Sequence, residues 1–451
     1  MRKQERRAWI CLLLALVLFG GISLFTYRLV KDGSRWVGHY GNTQIFTDGR
    51  INRGTVTDRH DEVLLHCTPD GLEYSDDWTT RVSTVHAVGD GNGNIASGAI
   101  NMFAGQLIGY DLLNGTYDTT ANGKKIQLTI DAAANRAAYN ALYGRTGAVG
   151  VFNWKTGEIL CMVSTPSFDP ADSPPEDGGA YYFNNFLSGE ITPGSTFKLV
   201  TAASVIDNMP ERGEFSFECD GVNHYGESGD TEFRDIYEHG EVDFKEALAV
   251  SCNGAFGSLS RKLGGKALKK TTEEVGLSKP LEFDGIKTAA GSFEFPTDDD
   301  VKLSWAGIGQ AQDLVNPCTM MVFMGAIANG GEAVRPTLIK STSFIDEIRG
   351  VKTIGKYLEP STAAELKDMM KNNVVENYGE DNFPGMDLYA KSGTAETGGD
   401  EADAWFVGFT DDEEAPYAFV VWVKEGGSGA SVAAPIARQV IQELQAGNYY
   451  E

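Results

Sequence analysis

Three short motifs that lie far apart in the sequence constrain the fold of this chain more than any other feature. The chain's only S-x-x-K runs from Ser195 to Lys198, its only S-x-N is Ser251-Cys252-Asn253, and a K-[ST]-G-T follows at Lys391-Ser392-Gly393-Thr394. In this order the motifs provide the nucleophile, the base and the substrate clamp of an acyl-transfer site. The chain therefore has to adopt a fold that brings the three segments together.

The first motif predicts a serine nucleophile with its own base. Pro193-Gly194 opens a predicted helix over residues 195–208, and on a helix Ser195 and Lys198 share one face. A serine hydroxyl is a poor nucleophile unless a neighbouring base takes its proton. Lys198 can do this only when it is neutral, which requires a pKa lowered by burial or by nearby positive charge. Alone, the motif is a weak signal, because an ordinary helix with a serine cap also fits it.

The S-x-N motif adds a proton relay and a substrate contact. The Ser251 hydroxyl can pass a proton between a lysine and the leaving group, and the Asn253 amide can hold a backbone carbonyl of the substrate. Both residues are also favoured helix starters, so capping is the alternative interpretation. We expect Cys252, between them, to point into the core.

The K-[ST]-G pattern occurs twice. In Lys391-Ser392-Gly393-Thr394 the lysine supplies positive charge, the two hydroxyls can bind a carboxylate, and the glycine allows a close backbone approach. Lys155-Thr156-Gly157 fits the same pattern, but it precedes the nucleophile and lies in a predicted hairpin turn, where glycine is favoured. We therefore interpret residues 155–157 as structural and residues 391–394 as substrate-binding.

The N-terminus predicts a membrane anchor. Residues 1–7 are rich in arginine and lysine, and residues 8–27 are uncharged. About twenty helical residues span roughly 30 Å, the thickness of the hydrocarbon core. No A-x-A-like cleavage site follows Tyr27, so we expect an uncleaved anchor rather than a cleaved signal peptide. The positive-inside rule puts residues 1–7 inside the cell and the bulk of the chain outside it.

The composition is that of a globular protein and excludes several partners. Of the 451 residues 42% are apolar, and 63 Asp and Glu against 38 Lys and Arg argue against nucleic acid as a partner. The six cysteines form no C-x-x-C pair and no zinc spacing, and the six histidines form no metal-binding pattern. We expect no metal, and we interpret the cysteines as small buried hydrophobes.

The order of predicted elements indicates an α+β domain that follows a small β-rich module. After a polar tether over residues 32–48, residues 53–123 have short strands broken by glycine clusters. Asp131 caps a predicted helix, and a hairpin follows, with loops at 169–180 and 211–243. Predicted helices cover residues 132–143, 195–208, 244–263, 317–329, 361–373 and 431–445, and the helix over 361–373 has a serine cap. Predicted strands cover residues 126–130, 147–153, 158–164, 388–394, 404–410 and 418–424. We expect a central antiparallel sheet, flanked by helices, that joins the first hairpin to the last three strands.

These motifs resemble those of the class B penicillin-binding proteins, the monofunctional peptidoglycan D,D-transpeptidases. The likeness extends from Arg53 nearly to the C-terminus and is carried by Arg53-Gly54, Asp58-Arg59, Leu128 to Asp131, Thr156 to Ile159, Ser164 to Pro170, Pro193 to Lys198, Ser251 to Asn253, Gly309-Gln310, Ala328 to Gly331 and Lys391 to Glu396. The chain departs from the family pattern at His60-Asp61, where Asn-Gly is usual, and in its short pedestal. No glycosyltransferase-sized segment lies between the anchor and Arg53, which excludes the bifunctional class A type.

The resemblance implies a serine-type D-Ala-D-Ala transpeptidase of penicillin-binding, β-lactamase-like fold that needs no cofactor. It divides the chain into a cytoplasmic tail (1–7), an anchor (8–27), a tether with a small pedestal (28–124) and a transpeptidase domain (125–451). Peptidoglycan stem peptides are the implied substrates, β-lactams the inhibitors, and a polytopic membrane glycosyltransferase of the cell-wall machinery a partner. The implied roles are nucleophile for Ser195, base for Lys198, relay for Ser251, amide contact for Asn253, carboxylate binding for Lys391 and Thr394, and an oxyanion hole from the backbone N–H groups of Ser195 and Thr394.

Four other functions are alternatives for a chain with these motifs. In a D,D-carboxypeptidase or a β-lactamase water is the acyl acceptor, and the motifs do not separate hydrolysis from transfer. A β-lactam sensor would carry a larger polytopic signalling part, and a non-catalytic membrane-tethered scaffold would not need the intact lysines and serines. The anchor, the pedestal motif and the family likeness favour transfer.

Overall fold

The computed structural model describes residues 2–37, 46–47, 50–109, 123–172, 175, 178–225, 231–235, 237–340 and 351–448. Its N-terminal helix α1 is Arg2–Val37. Within it, Gln4–Leu29 is long and apolar enough to cross a membrane, and it is the only such segment among the described residues. This agrees with the anchor predicted over residues 8–27. The helix continues beyond Tyr27, so the first part of the predicted tether is helical, whereas residues 38–45 and 48–49 lie outside the described residues.

The pedestal that follows is built on a small sheet. Its elements are β1 (Phe46–Thr47), β2 (Arg50–Ile51), β3 (Gly54–Thr57), β4 (Val63–Thr68), β5 (Gly71–Tyr74), α2 (Trp78–Val88), α3 (Ala99–Met102), α4 (Ala104–Leu107) and β6 (Lys125–Gln127). Four strands form a sheet in the order β5-β4-β3-β6, in which β6 runs parallel to β3. The boundary proposed at residues 124 and 125 therefore lies directly before a strand of the pedestal sheet. Part of the predicted glycine cluster, residues 110–115, lies outside the described residues.

The rest of the chain supplies the larger part of the molecule. The elements up to the S-x-N motif are α5 (Ala132–Leu142), β7 (Gly147–Asn153), β8 (Ile159–Thr165), α6 (Gly178–Tyr182), α7 (Asn185–Ser188), α8 (Lys198–Asn208), β9 (Ser216–Cys219), β10 (Val222–Tyr225), β11 (Thr231–Arg234), β12 (Gly240–Asp243) and α9 (Phe244–Ala249). The later elements are α10 (Asn253–Leu263), α11 (Gly265–Glu274), β13 (Glu282–Phe283), β14 (Ile286–Lys287), α12 (Asp300–Ala306), α13 (Pro317–Ala328), β15 (Glu332–Val334), β16 (Thr353–Lys356), α14 (Pro360–Asn373), β17 (Leu388–Ala395), β18 (Asp403–Thr410), β19 (Tyr417–Val423) and α15 (Ala434–Asn448).

A central five-stranded sheet confirms the predicted fold class. Its order is β17-β18-β19-β7-β8, and every neighbouring pair is antiparallel. Alternate side chains of β18 enter two different cores, because successive strand residues point to opposite faces. Trp405 and Val407 pack in the core that contains the wholly buried helix α13, whereas Phe406 packs in the core of α5 and α15. The sheet is therefore covered by helices on both faces, and β17 lies at one edge.

Four local expectations were wrong or incomplete. The segment of residues 211–243, predicted as a loop, contains the hairpins β9–β12 and β10–β11. The helix predicted over 244–263 is two helices, because Ser251 adopts a φ of 57°. Glu359 rather than a serine stands at the N-cap of α14. Helix α2 was not predicted, since its residues are mostly β-branched; it forms where it packs against α5 and β8.

Candidate active site

Ser195 lies on a tight turn rather than on an α-helix. Residues 194–197 form a 3₁₀ turn that leads directly into α8, and the predicted α-helix begins only at Lys198. Gly194 has a φ of 53°, which favours glycine, and a Cβ there would lie 2.7 Å from the Thr394 carbonyl oxygen. The turn therefore packs closely against β17, so the S-x-x-K motif and the K-[ST]-G-T motif are adjacent at this point.

Lys198 contacts both the nucleophile and the S-x-N motif. Its Nζ lies 3.1 Å from the Ser195 Oγ, and it donates to the Ser251 carbonyl oxygen at 2.5 Å and to the Asn253 Oδ1 at 2.7 Å. The side chain is completely buried. This burial lowers the pKa of Lys198 to about 8, against the opposing effects of Asp235 and Cys252. Lys198 can therefore be neutral at mildly alkaline pH, as a base for Ser195 has to be.

The S-x-N motif lies at the break between α9 and α10. Ser251 has a left-handed backbone, which is uncommon for a residue other than glycine and is maintained only where the surroundings fix it. The Asp235 carboxylate accepts the backbone N–H of Asn253 at 2.7 Å and that of Gly254 at 2.8 Å. The Asn253 Nδ2 donates to the Arg234 carbonyl oxygen at 3.0 Å. The end of the β10–β11 hairpin thus holds the S-x-N turn in place.

Lys391 approaches the same serine from β17. Its Nζ donates to the Ser251 Oγ at 3.0 Å and to the Ser392 carbonyl oxygen at 2.8 Å, while the Lys198 Nζ lies 3.2 Å from that Oγ. Lys391 is completely buried, and burial, with the positive charge of Lys198, holds its pKa well below the usual value. The structure therefore brings Lys391 to Ser251, the predicted relay. By contrast, Lys155 is exposed in the β7–β8 turn, with its Nζ 5.2 Å from the centre of the Trp154 ring.

Tyr378 is a site residue that the sequence analysis missed. Its hydroxyl accepts the backbone N–H of Ser392 at 2.8 Å and donates to the Ser392 Oγ at 3.0 Å. Because alternate residues of a strand direct their N–H groups to the same side, the Thr394 N–H points to the same free edge of β17. Tyr378 follows α14 in a one-turn π-helix, and no motif in the sequence indicated that this turn reaches β17.

A cavity of about 590 Å³ opens onto these groups. Ser195, Ser251, Asn253, Ser392 and Thr394 line it, together with Arg234, Asp235, Tyr237, His239, Trp305, Gln310 and Glu396. Its volume is in the range of pockets that bind small molecules. Of the eight residues predicted for the site, the structure places the nucleophile, the S-x-N pair and the two hydroxyls of β17 at the cavity wall. Lys198 and Lys391 lie behind the wall, and Gly393 packs against the Ser195 turn.

Four potential metal ligands lie directly behind the S-x-N turn. Their donor atoms all lie within 4.8 Å of one another, and no other such group was found among the described residues; they are Cys219, Asp235, His239 and Cys252. No metal was predicted from the sequence, because these residues follow no known ligand spacing. They come together only through the two hairpins, which the sequence analysis took for a loop.

Comparisons with known proteins agree with the geometry. A family model described as the penicillin binding protein transpeptidase domain matches residues 147–442, more than half of the chain. The chain is 29% identical over 372 residues to the peptidoglycan D,D-transpeptidase PbpA of Mycobacterium tuberculosis, covering 75% of this chain and 74% of the relative. It is also 28% identical over 318 residues to penicillin-binding protein 3 of Bacillus subtilis, covering 64% of this chain and 46% of the relative.

Solved structures show the same fold. The crystal structure of PbpA from M. tuberculosis superimposes with a TM-score of 0.74 at 25% identity, covering 87% of this chain and 99% of that chain. The ceftriaxone acyl-enzyme complex of the same protein gives a TM-score of 0.72 at 24% identity, covering 87% of this chain and 98% of that chain. The motifs, the five-stranded sheet and these matches together establish that the chain belongs to the penicillin-binding protein transpeptidase family, among the class B penicillin-binding proteins.

Proposed function

We propose that this protein is a peptidoglycan D,D-transpeptidase that cross-links stem peptides through an acyl-serine intermediate and is inhibited by β-lactams. The observation that carries the proposal is the contact of one buried lysine with both the nucleophile and the S-x-N motif, at the free edge of a sheet. M. tuberculosis PbpA, to which the chain is similar, is named a D,D-transpeptidase, and its acyl-enzyme complexes with ceftriaxone and imipenem are known.

The first half-reaction forms the acyl-enzyme. The Ser195 Oγ attacks the carbonyl carbon of the penultimate D-Ala while neutral Lys198 takes the hydroxyl proton. The backbone N–H groups of Ser195 and Thr394 stabilise the negative charge that develops on the carbonyl oxygen. The C–N bond to the terminal D-Ala then breaks, and the proton returns to the leaving amine through the Ser251 hydroxyl, which lies 3.2 Å from the Lys198 Nζ.

The second half-reaction transfers the acyl group to an amine. A neighbouring stem peptide supplies the amine, and Lys198 accepts its proton. Lys198 then returns this proton to the Ser195 Oγ as the ester breaks and the new amide forms. Extended peptide can lie along the free edge of β17 and make strand-like hydrogen bonds there. In the first half-reaction, before the terminal D-Ala leaves, the terminal carboxylate of the donor faces the Ser392 and Thr394 hydroxyls, and its charge favours the charged form of Lys391 behind them. This assigns carboxylate binding to the pair of hydroxyls and the lysine together.

The reaction product distinguishes transfer from hydrolysis. Purified full-length protein is incubated with cross-linkable stem peptides, and the products are analysed by mass spectrometry. A cross-linked dimer that has lost one terminal D-Ala is the expected product, and Ser195→Ala should form none. Loss of D-Ala without any dimer would mean that water is the acceptor and that the protein is a carboxypeptidase.

The larger organisation belongs to the same proposal. Residues 1–7 lie in the cytoplasm, residues 8–27 cross the membrane, and the pedestal (28–124) and transpeptidase domain (125–451) lie outside the cell. The apolar helix α1 and its basic first residues support this arrangement. A polytopic membrane glycosyltransferase is the proposed partner, since a membrane-anchored transpeptidase acts on the strands that such an enzyme makes. Affinity purification of the tagged full-length protein from detergent extracts tests this: recovery of the glycosyltransferase is expected with the full chain and not with a variant lacking residues 1–52.

A further inference from the structure

The cluster behind the S-x-N turn has the donor set of a zinc site. Cys219 ends β9, His239 directly precedes β12, Asp235 directly follows β11, and Cys252 directly precedes α10. Two sulfurs, one imidazole nitrogen and one carboxylate oxygen therefore converge from four element ends. Zn²⁺ is bound in proteins by these ligand types, and four ligands complete its tetrahedral coordination.

Three of the distances between the donor atoms match those of a tetrahedral site. With Zn–S bonds of about 2.3 Å and Zn–N and Zn–O bonds of about 2.0–2.2 Å, neighbouring donor atoms are about 3.3–3.8 Å apart. The Cys219 Sγ lies 3.4 Å from the His239 Nδ1 and 3.5 Å from the Asp235 Oδ2, and the Cys252 Sγ lies 3.3 Å from the same Oδ2. Three of the six donor–donor distances thus already lie in this range, and the remaining three are within 4.8 Å, so small side-chain shifts bring the four donors around a single ion.

The groups around the donors suit a bound ion. Ligating carboxylates are usually oriented by further hydrogen bonds, and Asp235 accepts the backbone N–H groups of Asn253 and Gly254. The Cys252 Sγ accepts the backbone N–H of Ala255 at 3.3 Å, which fixes the position of this sulfur at the start of α10. Both cysteines are buried, whereas Asp235 and His239 line the cavity, which gives the ion a path of entry.

We propose that Cys219, Asp235, His239 and Cys252 bind one Zn²⁺ ion that fixes the S-x-N turn of the active site. Binding converts two thiols into thiolates and releases their two protons. Because Cys252 stands between Ser251 and Asn253, the ion ties the two hairpins to the residues that contact Lys198. The left-handed backbone of Ser251 is held by this attachment. A disulfide would use only the two sulfurs and does not account for the imidazole and carboxylate that face them.

Metal content is the direct test. The full-length protein is purified in detergent from zinc-supplemented cells, and its metals are measured by inductively coupled plasma mass spectrometry. About one zinc ion per chain is expected, and Cys219→Ser and His239→Ala should each lower the zinc content by at least about tenfold. The control is Cys67→Ser, which changes a buried pedestal cysteine outside the cluster and should retain the zinc.

Cobalt substitution and zinc chelation test the site in the wild-type protein, so they do not depend on whether a variant folds. Co²⁺ bound to the wild type should give thiolate-to-cobalt charge-transfer absorption and the intense visible bands of tetrahedral cobalt. Removal of zinc with 1,10-phenanthroline should lower the melting temperature and slow penicillin acylation by at least about tenfold, and Zn²⁺ but not Mg²⁺ should restore both. The 1,7-isomer, which does not chelate, is the control and should change neither.

Two results would overturn the zinc site. One is a wild type that holds no stoichiometric metal and gives no thiolate–cobalt absorption. The other is a Cys219–Cys252 disulfide in peptides from protein that was thiol-blocked before lysis. Both measurements are independent of catalysis, so a zinc-containing protein that fails to make dimers would contradict the proposed function and leave the metal site standing.

Discussion

At the scale of single residues, the site depends on two buried lysines that share one serine hydroxyl. The Ser251 Oγ lies 3.2 Å from the Lys198 Nζ and 3.0 Å from the Lys391 Nζ. Two ammonium groups this close in a buried site repel each other, so at least one of the two favours the neutral form. Lys198 has the better position for the base, because only it contacts Ser195. The S-x-x-K motif predicted this role, and burial is the physical cause of the lowered pKa that the role requires.

The pH dependence of acylation tests the role of Lys198. Because only neutral Lys198 can take the Ser195 proton and burial lowers its pKa to about 8, the second-order rate of penicillin acylation should rise with pH and reach half of its plateau near pH 8. Lys198→Ala should slow acylation by at least about 10³-fold. Lys262→Ala, which changes an exposed lysine, should keep both rate and profile. A wild-type rate that does not change between about pH 6 and pH 9 would contradict this assignment.

Mutation of the lysine should impair acylation in only one of the two K-[ST]-G copies. Lys391→Ala should strongly slow acylation by D-Ala-D-Ala mimics, since it removes the buried lysine behind the two hydroxyls of β17 that we propose bind the carboxylate. An amidated mimic, which lacks the carboxylate, should be a poor substrate for the wild type, and Lys391→Ala should reduce its acylation rate much less. Lys155→Ala should acylate at nearly the wild-type rate, because Lys155 is exposed in the β7–β8 turn. Second-order acylation rates of both variants with both ligands show which K-[ST]-G copy binds the substrate. A strongly impaired Lys155→Ala would mean that residues 155–157, and not residues 391–394, are the substrate-binding copy.

At the scale of elements, the strands of the central sheet and most of the long helices were predictable, whereas α2, the hairpins within residues 211–243 and the breaks between elements were not. The alternating and β-branched runs predicted the five strands of the central sheet, and the N-cap Asp131 predicted α5, where its carboxylate accepts the Ala134 N–H. The left-handed Ser251, the hairpins within residues 211–243 and the turn that carries Tyr378 depend on contacts with distant segments. Local sequence does not encode such contacts, so the lysine contacts and the zinc ligands became visible only in the fold.

Tyr378 should hold the edge strand in its reactive position. Tyr378→Phe leaves the Ser392 N–H and hydroxyl without this partner, which should cost about 1–3 kcal/mol in the free energy of unfolding. It should also slow penicillin acylation several-fold, because Thr394 lies two residues further along the same strand. The control is Tyr389→Phe on β17, whose hydroxyl donates to the exposed Asp387 and whose loss should change stability by less than about 0.5 kcal/mol. Denaturant unfolding and acylation kinetics measure both effects, and equal behaviour of the two variants would exclude the positioning role.

At the scale of the whole molecule, the pedestal and the catalytic part share one core. Val56 and Leu65 of the pedestal belong to the same buried cluster as Phe197, which lies beside Lys198, and Met320 of α13. The Arg81 guanidinium of α2 also donates to both oxygens of Asp169, at 2.8 and 2.6 Å. A bidentate pair of this kind fixes orientation as well as distance. The short pedestal is therefore packed against the catalytic part rather than only joined to it by the chain.

The proposed membrane orientation rests on the basic residues that precede the apolar segment of residues 8–27. Arg2, Lys3, Arg6 and Arg7 precede the span, and cationic residues are retained on the cytoplasmic side. Protease added to intact, wall-stripped cells should therefore remove the bulk of the chain and leave a membrane-bound fragment that contains an N-terminal epitope tag. The tag should become accessible only after permeabilisation, together with a cytoplasmic marker protein that serves as the control. A soluble mature form that begins near Lys31 would instead mean that residues 8–27 are a cleaved signal, and full protection of the chain would reverse the orientation.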